Sequence, residues 1–253
     1  MGLKALIWDV DGTLVDSEEI HRAAFNHTFT ERKLDWHWDR SLYAHLLRVT
    51  GGRERLRHYM DIMDCAPTGP EALDKFILSL HIQKTAIYNH LLRVGPVRLR
   101  PGVKRILRQA RDQGVLLAIA TTTSRRNVET LLTRTLYREG IPWEIVVSGE
   151  DVKRKKPFPE VYLKVLGQLG LEPGQCVALE DSQNGVESAS AAGIATIVTK
   201  NCYTRDDDFS KAGIVLSHFG DKNHAVEILA GSFPFEGEVQ LDDIVDWLES
   251  WRR

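Results

Sequence analysis

Beyond Pro101 the chain alternates short apolar runs, at residues 116–120, 145–148, 176–179 and 195–198, with stretches of helical periodicity at 103–113, 128–137, 160–169 and 185–192. Such alternation builds a parallel sheet, because parallel strands need long crossovers and helices supply them. A weaker apolar run stands at 214–216, and another, Ala5-Leu6-Ile7-Trp8, stands alone near the N-terminus. Residues 16–93 differ in texture: charged and helical, with Ala23, Ala24, Phe25 and Phe29 in one stretch and Leu73, Phe76, Ile77 and Leu80 at helical spacing in another. The pattern predicts an α/β fold, a Rossmann-like parallel sheet core formed by residues 1–15 and 96–253, with an all-helical domain inserted at 16–95. The insertion leaves just after the first strand, at the carboxyl end where open α/β sheets bind their ligands, so it is expected to stand over the site as a cap. A final amphipathic helix is expected at 241–251, and Asp206-Asp207-Asp208 make 203–211 read as an exposed acidic loop.

Composition narrows the function. At 253 residues and 43% hydrophobic the chain can bury a substantial core. Its formal net charge of −2 supplies no basic field for a nucleic-acid backbone or an anionic membrane, and neither is expected as a partner. No apolar run approaches the roughly 18 residues that span a bilayer. Cys65, Cys176 and Cys202 are scattered and form no CxxC pair, which fits a reducing compartment: the cytoplasm, or the chloroplast stroma if a transit peptide has been removed. The absence of GxxxxGK[ST] excludes a P-loop kinase.

Chemistry concentrates where apolar runs end. Asp9 and Asp11 follow the first strand in Asp9-Val10-Asp11-Gly12-Thr13-Leu14. Neighbouring carboxylates repel unless a cation joins them or one keeps a proton, and a hard ion such as Mg2+ suits oxygen ligands. A solvated DxDG turn has the same composition. Thr121 to Ser124 place four hydroxyls after a buried strand, either to hold phosphate oxygens or to cap the next helix. Lys156 lies in the basic run 153–156, and Glu180-Asp181 end the run Val177-Ala178-Leu179, where acids serve as helix caps or as metal ligands.

Taken in order, Asp9 to Leu14, Thr121, Lys156 before Pro157, and Glu180-Asp181 with Ser182 to Gly185 resemble the four motifs of the haloacid dehalogenase-like hydrolases. The resemblance implies that Asp9 attacks phosphorus to give an aspartyl-phosphate, and that Asp11 protonates the leaving oxygen and then activates water. It further implies Mg2+ held by Asp9, Asp181 and the main-chain carbonyl of Asp11, with Glu180 orienting or sharing it. Thr121, Thr122 and Lys156 would bind the transferring phosphoryl group.

The insertion is similar to the small helical cap of the branch that includes β-phosphoglucomutase and phosphoglycolate phosphatase. With Asp16 to His21 at its entrance, Val49-Thr50-Gly51-Gly52-Arg53-Glu54-Arg55 inside it and Tyr203 to Ser210 late in the core, nearly the whole chain resembles the CbbY-type phosphatases of carbon-fixing organisms. That resemblance implies a monomeric phosphatase for a small sugar phosphate, xylulose-1,5-bisphosphate, a misfire product that inhibits Rubisco. Thr50, Gly51, Gly52, Arg53 and Arg55 would grip its distal phosphate, and Glu18 and His21 would meet the sugar hydroxyls. Two other readings use the same residues: a sugar phosphomutase, and a non-catalytic protein that binds a sugar phosphate.

Overall fold

The computed structural model describes residues 2–67 and 69–251. Its strands are β1 (Ala5–Trp8), β2 (Leu116–Ala120), β3 (Ile145–Val147), β4 (Cys176–Glu180), β5 (Ala195–Thr199), β6 (Ile214–Leu216) and β7 (Ile228–Ala230). They form one sheet in the order β3-β2-β1-β4-β5-β6-β7. All neighbours run parallel except β6 and β7. The fold is α/β and Rossmann-like, as the alternating pattern leads one to expect.

Strand β1 lies in the middle, in register with Leu116–Ile119 on one side and Cys176–Leu179 on the other. Its side chains alternate between two cores. Leu6 and Trp8 join Leu117, Ile119, Val177 and Leu179 on one face, whereas Ala5 and Ile7 join Ala118, Ala120 and Ala178 on the other. The second face is rich in alanine, so the helices over it approach the sheet closely. They are α7 (Glu160–Leu169) and α8 (Gln183–Ala191), whose Tyr162, Val165 and Ala189 fill that core. The opposite face is covered by α5 (Val103–Asp112), α6 (Arg125–Leu136) and the C-terminal helix α9 (Leu241–Trp251).

Between β1 and α5 run four helices, α1 (Glu18–Glu31), α2 (Arg40–Leu46), α3 (Gly52–Ile62) and α4 (Pro70–Val94). They surround an aromatic cluster in which Phe25, Phe29, Trp38 and Tyr59 pack edge to face or tilted and Tyr43 stacks on Trp38. No helix among the described residues is long and apolar enough to cross a membrane.

The structure corrects the sequence reading in three places. Helices α6 and α8 begin at Arg125 and Gln183, ahead of the apolar periodicity, because Ser124 and Ser182 cap them by accepting the amides of Asn127 and Gly185. Strand β7 is an antiparallel edge strand with all three residues exposed, so no burial pattern marks it in the sequence. The 203–211 segment is only partly an exposed loop: Tyr203 and Thr204 are buried, and Tyr203 belongs to the cluster of α1 to α4. The acidic triplet masks this, although Asp207 itself turns inward and accepts the amide of Gln183 at 2.8 Å.

Candidate active site

The Asp9 amide donates to the Leu179 carbonyl at 3.0 Å, the last rung between β1 and β4 before the chain turns away. The turn is tight: the Leu14 amide returns to the Val10 carbonyl, and Gly12 adopts φ +84°. A Cβ at Gly12 would lie 2.1 Å from Asp181 Oδ2, so both the conformation and the space require glycine. Across the sheet the ends of β2 and β4 bring Thr121 and Glu180-Asp181 to the same edge, where the order of connections reverses.

Asp9, Glu180 and Asp181 are buried, and one oxygen of each lies within 4.8 Å of the others. Lys156 Nζ donates to Asp9 Oδ1 and Glu180 Oε1, both at 2.6 Å, and stands over the Tyr162 ring. One ammonium against three carboxylates leaves this pocket with excess negative charge. Burial raises the Asp9 pKa to about 8, Lys156 opposing and Glu180 adding to the effect. Asp181 is also pushed well up, by burial first and then by the charges of Asp9 and Glu180. Glu180 Oε2 is buried without a hydrogen-bond partner among the described residues. Excess negative charge, an orphaned carboxylate oxygen and all-oxygen donors fit a hard divalent cation.

Asp11 is set apart from this trio. Its Oδ1 accepts from Ser17 Oγ at 2.5 Å and lies 3.0 Å from His21 Nε2, with the Tyr88 hydroxyl at 3.4 Å. Burial works against its charge, but His21, then Ser17 and Lys84, outweigh it and bring the pKa down to about 2. His21 Nδ1 faces Lys84 Nζ at 2.5 Å. An ammonium only donates, so Nδ1 accepts and Nε2–H donates to Asp11. The order is therefore Lys84 to His21 to Asp11. His21 itself stacks on Tyr88 with ring centroids 3.9 Å apart.

All the singled-out residues except Glu180 line one cavity of about 540 Å³ between the sheet edge and α1 to α4. The hydroxyls after β2 divide their tasks: Ser124 caps α6, Thr123 accepts from Asn127 Nδ2 at 3.2 Å, and Thr121 accepts the Thr123 amide. On the helical side Glu18 accepts from the Tyr43 hydroxyl at 2.8 Å. The two arginines differ. Arg55 lies over the Tyr43 ring and donates to the Leu46 and Val49 carbonyls, bracing the loop before α3. Arg53 is exposed and lines the cavity beside Gly51 and Gly52. Thr50 accepts from Asn184 Nδ2 at 2.9 Å, and Glu54 pairs with Lys155 rather than with an arginine. The expectation placed His21 on sugar hydroxyls, whereas both of its ring nitrogens are engaged by Asp11 and Lys84.

Several contacts near the site escaped the sequence reading. Ser17, Lys84 and Tyr88 surround Asp11 and His21, and Arg100 donates to the Gly12, Thr199, Lys200 and Ser217 carbonyls. Lys84 left a signal, since it lies four residues after Leu80 and four before Tyr88 on the buried stripe of α4.

The profile of the family described as "Haloacid dehalogenase-like hydrolase" matches residues 6–199. Among curated proteins, "Protein CbbY" of Rhodobacter capsulatus is 46% identical over 213 residues, covering 84% of this chain and 92% of its own. "Phosphorylated carbohydrates phosphatase" of Thermotoga maritima is 31% identical, over 77% of this chain and 84% of its own. Among solved structures, a mutant of CbbY from Rhodobacter sphaeroides in complex with xylulose-(1,5)bisphosphate superposes with a TM-score of 0.79 at 39% identity, covering 87% of this chain and 96% of that one.

Proposed function

The chain belongs to the haloacid dehalogenase-like hydrolases and is an enzyme of the phosphatase kind; from that premise we propose that it removes the 1-phosphate of xylulose-1,5-bisphosphate through an aspartyl-phosphate on Asp9. The observation that carries the reading is the separation of the two loop carboxylates, Asp9 against Lys156 at 2.6 Å and Asp11 against Ser17 and His21. One is placed to attack and the other to move a proton.

In this reading Lys156 screens Asp9 from the incoming phosphate, and Thr121 and Thr122 hold its oxygens. Asp9 attacks in line as the P–O bond to the sugar breaks. Asp11, protonated when the negative charge of the phosphate arrives beside it, gives that proton to the leaving oxygen, and the carboxylate so formed, held by the Nε2–H of His21, accepts a proton from the water that opens the aspartyl-phosphate. Asp9, Glu180, Asp181 and the Asp11 carbonyl would hold Mg2+, which when bound supplies positive charge against the phosphoryl oxygens. Arg53 and the amides at Gly51 and Gly52 take the distal phosphate, Arg55 keeps their loop in place, and Glu18 accepts from sugar hydroxyls. Support for this substrate comes from the bisphosphate bound by the Rhodobacter sphaeroides relative.

Asp9→Asn should abolish phosphate release from xylulose-1,5-bisphosphate while leaving the far-UV circular dichroism unchanged; turnover within tenfold of the wild type refutes the nucleophile. The same assay with glucose 1-phosphate tests the mutase reading, in which an isomer forms without net phosphate.

A further inference from the structure

Asn201, just beyond β5, uses both ends of its carboxamide. Its Nδ2 donates to Asp181 Oδ2 at 2.6 Å. Its Oδ1 accepts the amides of Tyr203 at 2.8 Å and Thr204 at 3.2 Å, and its own amide donates to Thr204 Oγ1 at 3.2 Å. The turn so locked carries Tyr203 out of the sheet domain and into the helical one. There the residue is 7% exposed and its ring meets Tyr43 edge to face with centroids 5.5 Å apart. The Tyr203 hydroxyl donates to Glu19, which Arg22 and Arg40 also hold. Tyr43 in turn donates to Glu18 at 2.8 Å. A continuous set of hydrogen bonds and ring contacts thus joins a carboxylate of the acidic trio to two acids of α1.

We propose that Asn201 is a positioning residue that couples the cation site to the cap. The proposal rests on the reading of Asp181 as a ligand for a divalent cation. A ligating carboxylate is oriented by its hydrogen-bond partner, and here the partner is itself held flat by the turn it organises. When the helices move away from the sheet, the Tyr203 ring must either lose its apolar seat or follow them and pull the turn. Either movement loosens the grip of Asn201 on Asp181. By linkage, an ion that fixes Asp181 favours the turn that seats Tyr203, and the seated ring favours the ion by the same factor.

Mg2+ binding to the full chain without substrate, followed by titration calorimetry, tests this directly. Asn201→Ala should weaken Mg2+ binding about ten- to hundredfold. Tyr203→Ala leaves every group around Asp181 in place and should still weaken it about fivefold, with a higher KM for sugar phosphate and a smaller change in kcat. Should Asn201→Ala fail to fold, Tyr203→Ala carries the test alone. Wild-type Mg2+ affinity in Tyr203→Ala overturns the coupling and leaves the cation reading standing. A wild-type chain that binds no Mg2+ overturns both.

Discussion

Asp9 and Asp11 are two residues apart, yet their environments drive their proton affinities in opposite directions, Asp9 up to about 8 and Asp11 down to about 2. Burial acts on both, and what separates them is the balance of partners. Lys84 is the buried cation on the Asp11 side. A lysine ordinarily titrates at 10.5, and burial first, then the charge of Arg55, bring Lys84 down to about 7 against the pull of Asp11 and Glu18. Between those two values the unfolded chain binds a proton that the folded chain does not. Its contribution to stability therefore rises with pH across that window and is least favourable below about 7. Urea unfolding of wild type and Lys84→Met should show the wild type gaining relative to the variant from about pH 7 to pH 10. A difference independent of pH counts against a buried lysine. In kinetics the same variant should lose kcat about tenfold, less than the loss of a proton-transfer group itself, because His21 loses the donor that sets its tautomer.

At the scale of the element, the helices that follow β2 and β4 owe their placement to capping serines and to close approach at their first turns. Ser124→Ala should cost about 1 kcal/mol in urea unfolding, the ordinary value of an N-cap. Helix α8 starts so near β4 that a Cβ at Gly185 would lie 1.9 Å from Glu180 Oε2. Gly185→Ala must displace either the helix or the Glu180 carboxylate. Stability should fall by about 1–3 kcal/mol, as for other overpacked sites, and weaker Mg2+ binding on calorimetry should accompany it. Unchanged Mg2+ affinity would mean that the helix, and not the Glu180 carboxylate, gives way. These starts are readable in Thr-Ser-Arg and Asp-Ser-Gln once the strand ends are known. The closeness of α8 to Glu180 is not, because it depends on how far the alanine face of the sheet lets the helix descend.

Taken whole, the molecule closes its cavity with polar contacts between the helices of 18–94 and the sheet edge. Lys155 pairs with Glu54 at 2.7 Å, Asn184 donates to Thr50 and the Arg48 carbonyl, and Asn89 donates to Asn127 at 2.9 Å. The first two contacts are partly exposed and contribute about 0–1 kcal/mol each, whereas Asn89 and Asn127 meet in a buried setting. Glu54→Gln combined with Asn184→Ala should therefore raise the radius of gyration in small-angle scattering and raise KM severalfold with little loss of melting temperature. An unchanged scattering profile would show that other contacts hold the parts together. At the opposite end of the sheet, Trp247 of α9 packs against Gly213 and Phe233 within the main core, and Trp247→Ala should cost about 3–5 kcal/mol.

What the sequence determined by itself was everything carried by local periodicity and by strand ends: a parallel α/β sheet, a helical interruption after the first strand, and carboxylates, hydroxyls and a lysine placed where strands stop. Apolar alternation and helical spacing are local, so one chain suffices to read them. The edge strand β7, the Lys84–His21–Asp11 order, the bracing role of Arg55 and the descent of Tyr203 into the helical cluster were decided only in three dimensions. Each depends on side chains distant in sequence meeting in a buried space, Lys84 with His21 across 63 residues and Tyr203 with Glu19 across 184. Burial there changes what a charge or a ring is worth, and no local pattern records it.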